Sequence, residues 1–187
     1  LFADLRGFTG MAEHKLPYDV VFVLNRYCEV VGGAITRAGG VPNQFSGDGV
    51  MALFGVDRGA EEGCRSALAA ARAMTAGIDT LNAELAVELP SPLRIGIGIH
   101  TGTAIVGRMG YGDSAQLTAI GDTVNVAARL EQLTKEYACA LVMSEEVAAR
   151  AGLDVSAFPR HELTVRNRAG VLAVRTVQDL AGLAAKE

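Results

Sequence analysis

Val41-Pro-Asn-Gln-Phe-Ser-Gly-Asp-Gly-Val-Met-Ala-Leu-Phe54 is the stretch on which the fold turns. Two apolar runs, 41–45 and 50–54, flank Ser46-Gly47-Asp48-Gly49. Gly and Asp tolerate the backbone angles of tight turns, so the stretch predicts a β-hairpin. Upstream, residues 17–38 read as a helix. Pro17 suits a first turn, Val20, Leu24, Tyr27, Val31 and Ile35 recur at helical spacing, and Gly39-Gly40 stops the run. Before it, residues 1–5 read as a short buried strand ending in Asp4. Downstream, residues 59–88 read as a long helix with Cys64, Ala67, Leu68, Ala71, Met74, Ile78, Leu81 and Leu85 on its apolar stripe, ended by Pro90 and Pro92. Residues 93–101 alternate as a strand, with Arg94, Gly96, Gly98 and His100 on one side. The order β-α-β-β-α-β predicts a ferredoxin-like α+β sandwich. Strands at 103–108 and 117–120, a helix from about Asp122 to Thr134, a strand at 140–143, a short helix at 144–151 and strands near 161–166 and 171–178 complete the chain.

The 187 residues show no repeat or linker and read as one domain, 1–187. Half the residues are apolar and 20% are charged, which excludes disorder as the main state. Seventeen basic against 21 acidic residues give a net charge of −4, the wrong balance for gripping a nucleic acid polymer. A small phosphate ligand held through metal ions fits that balance, because the metals supply positive charge. No apolar run reaches the roughly 18 residues needed to cross a bilayer. Membrane contact by this domain is not expected. Cys28, Cys64 and Cys139 are scattered without metal-ligand spacing and fit buried thiols in a reducing, cytoplasmic setting. Leu1 lies inside a strand-like run, so a longer natural chain with an upstream regulatory region is expected.

Two constellations could carry chemistry. Asp4 and the hairpin's Asp48 can meet at one end of a ferredoxin-like sheet, where a carboxylate pair suits two Mg²⁺ or Mn²⁺ ions. Taken singly, Asp48 is explained as a turn residue; the pair with this topology points to metal. The Arg6-Gly7-Phe8-Thr9-Gly10 turn after Asp4 opens toward a helix and can offer backbone N–H groups to phosphate. Asn125 and Arg129, four apart, project from one helix face and suit a clamp on a sugar oxygen and a phosphate. Asp122 fits an N-cap. His100 reads as a packed, hydrogen-bonded residue, and His14 and His161 carry no signal.

Phe2-Ala-Asp-Leu-Arg-Gly-Phe-Thr9, Phe45-Ser-Gly-Asp-Gly-Val-Met-Ala-Leu-Phe-Gly55, Gly96-Ile-Gly-Ile-His-Thr-Gly102 and Thr118-Ala-Ile-Gly-Asp-Thr-Val-Asn-Val-Ala-Ala-Arg-Leu-Glu131 occur in that order. Together they resemble a class III adenylyl/guanylyl cyclase catalytic domain. The resemblance implies a nucleotide cyclase fold and a homodimer with sites at the interface. It implies that Asp4, Asp48 and the Leu5 carbonyl hold two divalent cations, while Asn125 and Arg129 come from the partner protomer. It implies that Gln44 and Thr118 read the purine, that Phe8 and Thr9 lie at the phosphates, and that Arg166, with Arg168 second, touches the terminal phosphates. The implied reaction converts ATP to 3′,5′-cyclic AMP and pyrophosphate.

The sequence departs from the family pattern at two places. Gln44 stands where relatives usually carry a purine-reading Lys. Lys only donates, whereas Gln donates or accepts, so GTP stays open beside ATP. The loop 110–116 lacks an Arg that many relatives use for the triphosphate, and Arg108 lies too early to replace it. These departures favour a weakly active nucleotide-binding dimerisation module as the competing reading. The full set Asp4, Asp48, Asn125 and Arg129 favours the enzyme. A diguanylate cyclase-like palm would leave the Asn125/Arg129 helix without a role.

Overall fold

The computed structural model describes residues 1–13, 15–112, 115–164 and 170–183. Strand β1 (Phe2–Arg6) leads through a short helix α1 (Phe8–Ala12) into α2 (Pro17–Arg37). The hairpin follows as β2 (Val41–Ser46) and β3 (Gly49–Leu53), then α3 (Ala60–Glu84) and β4 (Arg94–Ile99). A two-stranded ribbon, β5 (Ile105–Met109) and β6 (Gln116–Ile120), precedes α4 (Asp122–Glu136). Strand β7 (Leu141–Ser144), helix α5 (Glu145–Ala151) and strands β8 (Arg160–Thr164) and β9 (Val171–Val177) finish the main elements.

The main sheet runs β2-β3-β1-β4-β7-β9-β8. Its first four strands are antiparallel neighbours in the expected ferredoxin-like order. The C-terminal strands extend the same sheet, with β4–β7 parallel. The ribbon β5–β6 stands apart as its own small sheet.

Local chemistry explains the ends of the helices. Pro17 opens α2, which buries Val23, Tyr27, Val31, Ala34 and Ile35. At its close, Gly39 adopts φ +79, its N–H donates to Thr36 O, and Gly40 N–H donates to Ile35 O at 2.9 Å. That Schellman-type pair satisfies carbonyls the helix would otherwise leave bare. Helix α3 stops at Glu84 rather than running to residue 88. The Asn82 side chain clamps Leu93, beyond both prolines, through its N–H (2.6 Å) and its carbonyl (2.9 Å), which holds the chain folded back against the end of the helix. Strand β1 runs past Asp4 to Arg6, because Arg6 still pairs with Arg94 on β4; only its pairing with β3 ends at Asp4, opposite Gly49.

Helices α2 and α3 cover one face over the larger core, which contains Tyr27, Ile35, Met74, Leu81 and Ile97. Helix α4 covers part of the other face over a second core of Val126, Leu130, Leu133, Val142 and Val174. Here the glycines of β4 matter. A side chain at Gly98 would enter the backbone of α4 at Ala127 and Glu131, and one at Gly96 would meet Thr134 and the Arg6 guanidinium. Strand β4 is therefore buried on both faces except at Arg94. Strands β1 and β3 alternate instead, with Ala3, Leu5, Val50 and Ala52 buried and Phe2, Asp4, Gly49 and Met51 half-exposed. That half-open face carries Asp4. Among the described residues no helix is long and apolar enough to cross a membrane.

Candidate active site

Gly47 takes φ +64, which lets two residues, Gly47 and Asp48, join β2 to β3. The next link ties that turn to β1: Leu5 N–H donates to Asp48 O at 3.1 Å. Asp4 and Asp48 are thus brought to the same end of β1 and β3. A Cβ on Gly49 would stand 3.4 Å from Asp4 Oδ1, so the missing side chain leaves room beside the carboxylate. The Asp4 side chain is 23% exposed. Burial, then the Asp48 charge, pushes its carboxyl above the usual aspartate range, while Lys135 and Arg6 oppose the shift. A carboxyl raised in the folded state contributes stability that is complete at acidic pH and is lost as pH rises through its raised value. The ionised pair therefore calls for a counter-charge.

No group of three or more His, Cys, Asp or Glu side chains placed to hold a metal occurs among the described residues. Two carboxylates and a neighbouring backbone oxygen make only part of a coordination sphere. That donor set fits Mg²⁺ or Mn²⁺, hard cations that retain water and accept substrate phosphates as further ligands. It does not fit a closed structural zinc site.

Helix α4 carries the second constellation. Its N-cap is Gly121 at φ +146, and Asp122 is the first helical residue rather than the cap. That positive φ favours glycine, and a glycine at the cap position leaves the helix without a side-chain cap. Asn125 and Arg129 are exposed on one face, as their spacing predicts. Arg129, 60% exposed, lies 3.5 Å from Glu136 and 3.5 Å from Gln132. Within one chain neither residue is joined to Asp4. The α4 residue that touches Asp4 is Lys135, with Nζ 3.4 Å from Oδ2. Asn125 lies ten residues earlier, roughly 15 Å back along the helix.

Thr118 sits mid-ribbon on β6, where its hydroxyl donates to Asn43 Oδ1 at 2.9 Å. The Asn43 amide in turn donates to the Leu117 carbonyl. Gln44, the next residue, faces Met51 across the hairpin. Gln44, Thr118, Asn125 and Arg129 are therefore carried by β2, β6 and α4, which contact one another in that order. Asn43→Ala is expected to lower stability by about 1 kcal/mol, because it strands the Thr118 hydroxyl; thermal melts would check this.

Phe8 opens α1 and packs partly buried against the larger core; Thr9 is the second residue of that helix. Arg166 and Arg168 lie outside the described residues. Arg108 donates to Ala115 O at 2.8 Å. His100 is buried and its Nδ1 lies 2.8 Å from Ser144 Oγ, as expected for a packed histidine. All three cysteines are free thiols. Sequence reasoning missed Lys135, Asn43 and the buried Glu131. The Glu131–Lys135 helical spacing was visible, but such a pair reads as a solvated face until the glycines of β4 seat it on the sheet.

Residues 1–176 match the family model for the adenylate and guanylate cyclase catalytic domain. The chain is 41% identical over 152 residues to an adenylate cyclase of Anabaena cylindrica, covering 79% of this chain and 29% of that protein. It is 35% identical over 181 residues to adenylate cyclase 1 of Rhizobium meliloti (strain 1021), covering 95% of this chain and 27% of that one. The chain thus spans less than a third of the length of these curated relatives. Among solved structures it superposes on the guanylyl cyclase Cya2 with a TM-score of 0.83 at 27% identity, covering 99% of this chain and 94% of that one. The adenylyl cyclase CyaB from P. aeruginosa gives 0.79 at 27% identity, with 94% and 91% covered.

Proposed function

The chain belongs to the adenylate and guanylate cyclase catalytic domain family, and from that premise we propose that it converts ATP to 3′,5′-cyclic AMP and pyrophosphate as a homodimer. The observation that carries this reading is the meeting of Asp4 and Asp48 at one end of β1 and β3, with Asn125 and Arg129 exposed on a different element. A site needing both sets draws one from each of two copies. Val41 and Phe45 on β2 and Ile105, Val106 and Ile120 on the ribbon are exposed apolar side chains, which supports a second copy docking beside them.

Asp4, Asp48 and the Leu5 carbonyl would hold two divalent cations, which supply positive charge for the ribose 3′-hydroxyl and the triphosphate when bound. The 3′-oxygen forms the new bond to the α-phosphorus, the bond from that phosphorus to the bridging oxygen breaks, and pyrophosphate leaves with the electron pair. Asn125 orients the ribose. Arg129 places its guanidinium on the α-phosphate, where charge builds during transfer. Phe8 and Thr9 bring the start of α1 to the phosphates, and Arg166 or Arg168 supplies further positive charge to the terminal ones. Gln44 and Thr118 read the purine.

A parallel assay with ATP and GTP in Mg²⁺ or Mn²⁺ tests the reading. Cyclic AMP formation that exceeds cyclic GTP formation is expected. Nucleotide binding by a proven dimer without any cyclic product would defeat it. Gln44→Lys is expected to raise the ATP:GTP activity ratio, since a donor-only side chain suits the adenine N1 acceptor; an unchanged ratio removes Gln44 from base reading.

A further inference from the structure

We propose that Lys135 is a placeholder cation: its ammonium occupies Asp4 in the free chain and moves to Glu131 when a divalent cation takes Asp4. The proposal rests on the reading of Asp4 and Asp48 as cation ligands. It begins with an ion pair that joins two distant parts of the chain. Lys135, in the last turn of α4, reaches Asp4 on β1 with Nζ 3.4 Å from Oδ2. Glu131 lies one helical turn before Lys135, with the acid N-terminal to the base, the order that favours pairing. Yet Glu131 is only 8% exposed, and its Oε1 is buried with no hydrogen-bond partner. A buried carboxylate oxygen left unpaired is costly, and native structures seldom tolerate it without a reason. The lysine engages Asp4 and stands at i,i+4 spacing from Glu131, whose carboxyl feels its charge.

Arg6 is the other cation nearby. Its guanidinium lies over Gly96 and donates to Cys139 O at 3.3 Å, while its Nε is buried without a hydrogen-bond partner, so it lies close to Glu131 without bonding to it. Lys135, with a 58% exposed side chain on a flexible stem, is free to shift. A dication on Asp4 would repel an ammonium held against the same carboxylate. Relocation to Glu131 relieves that repulsion and gives Oε1 the donor it lacks. The free chain thus avoids a bare pair of carboxylates, and the cation site is filled by exchange.

The test is Mn²⁺ binding by the full chain without nucleotide, read from the electron paramagnetic resonance signal of free Mn²⁺. Lys135→Met should bind Mn²⁺ roughly three- to tenfold more tightly than the unmodified chain, and Lys135→Arg should stay near the unmodified affinity. Glu131→Gln should weaken binding in the Lys135 background and have little effect in the Lys135→Met background, because no ammonium remains to relocate. An equal Glu131→Gln effect in both backgrounds would mean that Glu131 acts on the ion directly, and would overturn the relocation. Unchanged or weaker binding by Lys135→Met would overturn the placeholder itself; Lys135→Gln serves as the second variant if Lys135→Met melts early. Should Asp4→Asn bind Mn²⁺ as well as the unmodified chain, the reading of Asp4 as a ligand fails first. If Asp4→Asn abolishes binding while Lys135→Met changes nothing, the placeholder fails alone.

Discussion

Arg129→Ala should lower cyclic nucleotide formation by about 10²–10³-fold while the melting temperature stays close to that of the unmodified chain. The guanidinium is 60% exposed, and its partners here are the solvent-facing Glu136 and Gln132, so the fold loses little with it. Under the proposed reaction, what is lost is a positive charge beside the α-phosphate as it gains negative charge during transfer. The stronger form of the experiment uses two inactive chains. Arg129→Ala keeps the Asp4/Asp48 half of a site, and Asp4→Ala keeps the Asn125/Arg129 half. Each homodimer should be inactive. A mixed dimer should regain up to one working site, formed by the intact half of each chain. Proven heterodimers with no recovered turnover would rule out a site shared between copies.

Gly98→Ala is expected to be the most damaging small substitution in the sheet. A methyl group there would press into the backbone of α4, with the Glu131 Cα only 2.8 Å away. Backbone cannot rotate aside as a side chain does, so the helix must lift off the strand. Overpacking of this kind costs about 1–3 kcal/mol, which for a domain of this size lowers the melting temperature by roughly 2–4 °C per kcal/mol. Activity should fall further than stability alone explains, because α4 carries Asn125 and Arg129. Gly107→Ala is the matched control: nothing lies within 4 Å of a Cβ placed there, and its effect should stay within about 0.5 kcal/mol. Equal melting temperatures for the two variants would refute the account of the close helix–strand contact.

The hairpin, the two long helices and the ferredoxin-like strand order were legible because each is written in local periodicity and turn chemistry. Gly47 and Asp48 could be read as a tight turn from their residue types, and β1 beside it followed from topology. The end of α3 was not legible, because Asn82 stops it by holding Leu93, a contact between residues 11 apart that no period announces. Asp122 looked like a cap because Asp is a good one, but the turn out of β6 needs a positive φ, so Gly121 takes the cap position and Asp122 becomes the first helical residue. The carboxylate pair could be anticipated from its motifs, while Lys135 could not. Its role depends on which way α4 lies across the sheet, and two glycines in another segment set that direction. Asn43 escaped notice because its partners, Leu117 and Thr118, are more than seventy residues away.

Helix α4 lies against β4 where Gly98 meets Ala127 and Glu131 and where Gly96 meets Thr134. The seat is therefore more than one turn long and is made largely by main chain, which no rotamer change can loosen. Asn125 and Lys135 ride on one rod at a separation set by helix geometry alone, so the position of either group relative to the sheet is inherited from two absent side chains.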